Sequence, residues 1–287
     1  MFKSIEELVK QANEYGSVSE LMIQVEVETS QENREQVIDK MKQQLDVMKN
    51  GVARGINGVE SPTKLTGGDA VLMDDYLEKG EFICGETVLT AVKNAIATNE
   101  VNAAMGLICA TPTAGSAGVV PGVLFALTDR YGLSELEQLN FLFTAGAFGL
   151  VMANNASISG AEGGCQAEVG SASAMASAAI VENRGGTPEA SSQAVAITLK
   201  NMMGLICDPV AGLVEVPCVK RNALGASQAM VSADMALAGI TSAIPTDEVI
   251  EAMYQVGRQM PTAFKETAEG GLATTPTGKR LAKEIFG

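Results

Sequence analysis

The residue types best suited to chemistry in this chain are three cysteines. Cys165 closes the glycine-rich part of Ser157-Ile158-Ser159-Gly160-Ala161-Glu162-Gly163-Gly164-Cys165-Gln166-Ala167-Glu168-Val169-Gly170, while Cys207 and Cys218 stand in Cys207-Asp208-Pro209 and Pro217-Cys218. Each lies beside Gly or Pro at a predicted helix boundary, where free backbone N–H groups and the helix dipole favour a thiolate. Cys84 also precedes a glycine, and Cys109 lies in the apolar run 105–110, so local context alone does not isolate the three. Their gaps match neither zinc-finger nor ferredoxin spacing. Spacing therefore favours inert buried thiols and leaves metal ligation as the second reading. If they are ligands, the number three matters. A cubane cluster held by three thiolates leaves one iron free to act as a Lewis acid, and dehydration suits such a site because hydroxide leaves poorly without a metal.

Two loops could hold an anion. Ala110-Thr111-Pro112-Thr113-Ala114-Gly115-Ser116-Ala117-Gly118 feeds directly into the apolar stretch Val119-Val120-Pro121-Gly122-Val123-Leu124-Phe125. Hydroxyls at Thr111, Thr113 and Ser116, free N–H groups at a helix start and the small Ala114, Gly115, Ala117 and Gly118 make a cradle for carboxylate or phosphate. The pattern is neither a P-loop nor a dinucleotide fingerprint. In Ser61-Pro62-Thr63-Lys64-Leu65-Thr66-Gly67-Gly68-Asp69, Gly67 and Gly68 permit close backbone approach and Lys64 adds charge, although a surface connector is the plainer reading. With no His in the chain, a base must be an acid, a Lys, a Tyr, an assisted hydroxyl or a group from another polypeptide. Lys64, Glu86, Glu162 and Ser116 are candidates, and structural roles for Glu86 and Glu162 are equally open.

Helices must position these groups, because period-2 alternation is almost absent. Ser4 with Glu7, Ser17 with Glu20, Thr29 with Glu32 and Ser134 with Glu137 have capping-box spacing. The third predicts a long amphipathic helix through Val37, Met41, Leu45 and Met48, and 51–70 reads as looser. Further helices are expected over 86–99, from Ser134 to Asn155 and over 172–180, then from Pro188 to about Met203, from Val219 to about Ala238 and after Pro245. Hydrophobic residues are 46% of the chain but aromatics only 4%, so Ala, Val, Leu, Ile and 14 Met must fill the core through close helix packing. The expected fold is mainly α, with an N-terminal helical arm over 1–50 and a large helical catalytic domain over 51–287. A net charge of -14 argues against nucleic-acid and anionic-membrane partners. The opening residues lack an export signal and the apolar runs are short or broken, which predicts a cytoplasmic protein.

The motifs together resemble the iron–sulfur-dependent L-serine dehydratases. The match rests on the 157–170 stretch, Thr111-Pro112-Thr113-Ala114-Gly115-Ser116-Ala117-Gly118, Cys207-Asp208-Pro209, the later Cys218 and Gly270-Gly271-Leu272-Ala273, all in the family's order. The length is similar to that of the separate alpha chain of the two-subunit form. The resemblance implies a [4Fe-4S] cluster on Cys165, Cys207 and Cys218, conversion of L-serine to pyruvate and ammonia, and a separate beta chain as partner. It also implies that the 111–118 loop binds the substrate carboxylate with help from 64–68. Single-chain members can end in a cysteine that caps the open iron; no cysteine follows Cys218 here, so capping by the tail is not expected. A related cysteine desulfidase, a pyridoxal-phosphate lyase using Lys64, and a non-catalytic helical subunit with buried thiols are the alternatives.

Overall fold

Small side chains set how closely the helices of this molecule meet. The computed structural model describes residues 2–287 and contains thirteen α-helices and no β-strand among them. In chain order they are α1 (Ile5–Tyr15), α2 (Val18–Ser30), α3 (Arg34–Ile56), α4 (Asp69–Glu78), α5 (Glu86–Ala103), α6 (Val119–Tyr131) and α7 (Glu135–Asn155). There follow α8 (Gly160–Gly163), α9 (Ser171–Asn183), α10 (Pro188–Met202), α11 (Cys218–Leu237), α12 (Thr246–Gln259) and α13 (Pro276–Phe286). The mainly α architecture expected from the sequence is the one observed.

Helix α9 lies at the centre. Its residues 171–181 are all buried, and α6, α7, α10 and α11 pack around it. A helix of Ala and Ser can be enclosed this way because its neighbours approach nearly to backbone contact; Ser173 Oγ donates to the Gly225 carbonyl of α11 at 2.8 Å. Helix α6 meets α5 by the same device. A Cβ at Gly118 would overlap the Ala95 carbonyl oxygen, so only glycine lets the start of α6, and the 111–118 loop before it, rest on α5. Helix α7 is the one described helix long and apolar enough to cross a membrane, yet 67% of its most apolar window is buried inside the protein. Phe141, Phe143 and Phe148 account for much of that burial.

Acids on one helix cap the N-termini of others. Asp247 accepts from the Ile5 and Glu6 N–H groups at the start of α1, Glu182 from Val18 and Ser19 at the start of α2, and Glu100 from Asp69 and Ala70 at the start of α4. Each satisfies donors the helix itself cannot pair and opposes the dipole. Helices α2 and α3 pack against α7 and α5, and Leu8, Leu21 and Leu45 share one continuous core with Phe143 and Ala172.

Two local expectations differ from the structure. Thr29 does not open α3; it lies within α2, and the complete capping box is Asn33 with Gln36. The α2–α3 turn therefore falls about one helical turn later than the Thr29–Glu32 spacing suggested. The stretch expected to be loose from residue 51 begins as helix, since α3 runs unbroken to Ile56 and buries Gly51, Val52 and Gly55. Ser134 and Glu137 form the full reciprocal box, whereas Glu20 is drawn into a two-pronged ion pair with Arg34.

Candidate active site

All five cysteines are free thiols, and Cys165, Cys207 and Cys218 are buried, at 2%, 2% and 7% exposure. Their positions follow from three separate anchors. Cys165 sits between α8 and a π-helical turn, Gln166–Gly170, that runs into α9. The Gln166 side chain fixes this turn by donating to the Met253 carbonyl at 3.0 Å and accepting from the Gly204 N–H at 2.8 Å. Cys207 is clamped through its backbone: its N–H donates to the Phe264 carbonyl at 2.8 Å and its carbonyl accepts from Glu266 at 2.9 Å. Cys218 is the first residue of α11, and one turn on, Asn222 Nδ2 donates back to its carbonyl at 2.9 Å.

Sulfur and carboxylate converge here. The Sγ atoms of Cys165 and Cys207 and a carboxylate oxygen of Glu168 all lie within 4.8 Å of one another. Cys218 is outside that mutually close set, yet its thiol is pushed up by burial and then by the charges at Cys165 and Glu168. Cys165 is shifted the other way: a hydrogen bond from the Cys207 thiol, and after it the positive charge of Arg221, favours its thiolate. Cys207 as that donor is correspondingly raised. Arg221 reaches Cys165 Sγ at 3.3 Å, the Ile206 carbonyl at 2.7 Å and Asp208 Oδ1 at 2.7 Å. Asp208 Oδ2 in turn accepts from the Leu272 N–H at 2.7 Å. A side chain at Gly271 would collide with that carboxylate, which explains the glycine in Gly270-Gly271-Leu272-Ala273.

The 111–118 loop borders this cluster with the Gly115 and Ser116 amides free, whereas Thr113, Ala117 and Gly118 use theirs. The Ala114 carbonyl accepts from Asn102 at 3.2 Å, and the Gly115 carbonyl from Asn99 at 3.1 Å and Asn222 at 2.7 Å. In a trans peptide the N–H points opposite its carbonyl, so this pinning turns the Gly115 and Ser116 N–H groups to the other side. Neither has a hydrogen-bond acceptor among the described residues. Asn222 also accepts from the Gly118 N–H at 3.0 Å, joining the loop to the Cys218 turn. Thr113 Oγ1 donates to Glu168 at 2.8 Å. Burial, opposed by that bond and reinforced by the charge of Glu266, raises the Glu168 carboxyl to about 7.

The remaining sequence candidates scatter. Ser116 is fully buried, its hydroxyl 3.1 Å from that of Thr113. Thr111 donates to the Ala117 carbonyl at 3.4 Å, within the loop itself. Lys64 is exposed, although its neighbour Thr63 hydrogen-bonds Glu215 at 2.8 Å, in the 207–218 segment. Gly67 and Gly68 both have positive φ and lead into α4. Glu86 is exposed at the first residue of α5, and Glu162 is exposed on α8. Glu162 lines a cavity of about 500 Å³ with Arg258, Thr262 and Lys265, and none of the three cysteines borders it. Sequence reasoning missed Glu168, Arg221 and Asn222. Glu168 lay inside the Cys165 motif, three residues from the thiol, and that proximity was the available signal.

The donor set suits an iron–sulfur centre: three buried free thiols, one of which, Cys165, is reached by an Arg221 N–H and favoured as thiolate. Comparison with known proteins identifies the family. Residues 13–273 match the family model described as serine dehydratase alpha chain. The chain is 62% identical to a probable L-serine dehydratase alpha chain of Bacillus subtilis, across 100% of this chain and 96% of that protein. It is 41% identical to the L-serine dehydratase alpha chain of Peptoniphilus asaccharolyticus, across 100% and 99%. The L-serine dehydratase TdcG of Escherichia coli is 36% identical over 95% of this chain, which spans 61% of that longer protein.

Proposed function

The chain belongs to the serine dehydratase alpha-chain family, and from that premise we propose how it acts in the dehydration of L-serine to pyruvate and ammonia. Cys165, Cys207 and Cys218 hold a [4Fe-4S] cluster. When bound, the cluster supplies an iron without a protein ligand, whose Lewis acidity makes the serine hydroxyl a competent leaving group.

The chain's own residues do the rest. Arg221 steadies Cys165 as thiolate and, through Asp208, ties the thiol region to the 270–273 segment. The Gly115 and Ser116 amides, with the Ser116 hydroxyl, receive the substrate carboxylate, supported by Thr111, Thr113, Ala114, Ala117 and Gly118 and by Lys64, Gly67 and Gly68 at the rim. Burial of the thiols excludes bulk water and strengthens each charge interaction. A separate beta chain completes the enzyme in the cytoplasm, with residues 51–287 carrying the chemistry and 1–50 docked on them. Removal of the Cα proton falls to Ser116, Lys64, Glu86, Glu162 or a beta-chain group.

One observation carries the reading. Cys165 and Cys207 converge at Glu168, with Cys218 also buried, beside a loop whose Gly115 and Ser116 amides are free. The test is pyruvate formation from L-serine by anaerobically reconstituted protein with its partner. Cys165→Ser, Cys207→Ser and Cys218→Ser should each lower the rate by about 100-fold or more, whereas Cys84→Ser and Cys109→Ser should leave it unchanged. Full activity in any of the first three variants removes that residue from the site.

A further inference from the structure

Glu168 is a buried acid without a cation. At 8% exposure it lies within ion-pair distance of no Lys or Arg among the described residues. Burying a carboxylate in that state is costly unless something arrives to match it.

Its surroundings identify what arrives. Glu168 is fastened to the 111–118 loop by Thr113 and lies against the loop backbone at Gly115, where a Cβ would stand 3.1 Å from one carboxylate oxygen and 3.3 Å from the other. The free Gly115 and Ser116 amides belong to the same few residues. Donors for an anion thus lie next to a carboxylate that accepts from Thr113 and the Gly160 backbone but faces no cation. An α-amino acid carries its carboxylate and ammonium on a single carbon, so a site that recognises both must set the two receptors side by side. We propose that Glu168 receives the α-ammonium group of the substrate amino acid, next to the loop amides that take its carboxylate. The inference rests on the dehydratase reading above and assigns the polar group that reading leaves without a partner. It also gives the Thr113 hydroxyl a purpose, since its bond to Oε1 fixes which way the carboxylate presents itself.

The competing role is ligation, because the Glu168 oxygens also lie near Cys165 and Cys207. Equilibrium binding of two unreactive probes separates the roles. L-Alanine carries both charged groups and no hydroxyl; propionate lacks only the ammonium. In the reconstituted complex, Glu168→Gln should weaken L-alanine by about tenfold or more, as loss of a charge-assisted pair requires, and keep propionate within about twofold. Its iron and sulfide content should match that of the parent. Equal weakening of both probes, unchanged L-alanine binding, or loss of iron overturns the proposal. Should Glu168→Gln not accumulate as folded protein, Glu168→Asp retains the charge one methylene further back. It should show a smaller loss, still confined to L-alanine. If the parent complex makes no pyruvate and binds neither probe, the dehydratase reading itself fails. If the parent binds L-alanine and the variant binds it equally, only the assignment of Glu168 fails.

Discussion

Glu100 and Glu168 are both buried carboxylates, yet the regions around them use the charge in opposite ways. Glu100, at 1% exposure, spends both oxygens on the Asp69 and Ala70 N–H groups that open α4. Glu182 and Asp247 do the same for α2 and α1. In this scaffold region a buried acid completes a helix that would otherwise end in unpaired donors. Glu168 meets a rotatable hydroxyl, the Gly160 backbone, two thiols and a loop with unpaired amides. No long helix starts at it and no cation opposes it. A buried acid that faces the positive end of a long helix is architecture; one with no such counter-charge, beside unpaired backbone amides, marks where a ligand goes.

Isosteric amides at the two positions should act with opposite sign. The larger effect belongs to Glu168. In the metal-free chain its carboxyl titrates near 7, above the ordinary value of an exposed Glu. Below that ordinary value the group is protonated in both folded and unfolded states and costs nothing. As pH rises toward 7 the unfolded chain releases a proton that the folded chain keeps, so stability falls, and the full penalty is present above about 7. Glu168→Gln removes the penalty, while the Thr113 hydroxyl can turn from donor to acceptor to suit the amide. Urea unfolding should find the metal-free variant more stable than the parent by on the order of 3 kcal/mol at pH 8 and nearly equal at pH 4. A variant no more stable at pH 8 would place Glu168 among the scaffold acids.

The smaller effect belongs to Glu100. Its carboxyl is also raised by burial, but the two N–H bonds oppose that shift. An amide there must turn its NH2 toward one of two donors that cannot rotate away. Glu100→Gln should therefore destabilise the chain by about 1–2 kcal/mol at pH 7 in the same urea experiment, with α4 the first region to gain hydrogen exchange. Stabilisation instead would erase the distinction between the two regions.

Much of this was legible in the residues. The small-residue run 172–180 foretold a helix lying very close to a neighbour, and α9, surrounded by α6, α7, α10 and α11, is that helix. Pro188 and Ser134 marked helix starts because fixed φ and a capping hydroxyl act locally. The three cysteines and the 111–118 loop were visible as types suited to thiolate and anion chemistry. What escaped was non-local or depended on phase. The π-helical turn at Gln166–Gly170 departs from α-helical spacing, so the direction in which Glu168 projects could not be read from 3.6-residue periodicity. Asn222 and Arg221 act on loops far away in sequence, and nothing near them announces it. Thr29 and Asn33 both offered a capping side chain; the full reciprocal box forms at Asn33 with Gln36, and Thr29 stays exposed within α2.

The central claim is that Cys165, Cys207 and Cys218 hold one cluster. The direct measurement is iron, sulfide and thiol protection on the same anaerobically reconstituted, desalted sample, with alkylated cysteines identified by peptide mass spectrometry. The expected result is ~4 iron and ~4 sulfide per chain, with Cys165, Cys207 and Cys218 protected and the exposed Cys84 alkylated. Less than about one iron per chain, with the three buried thiols as reactive after reconstitution as before it, would contradict the claim.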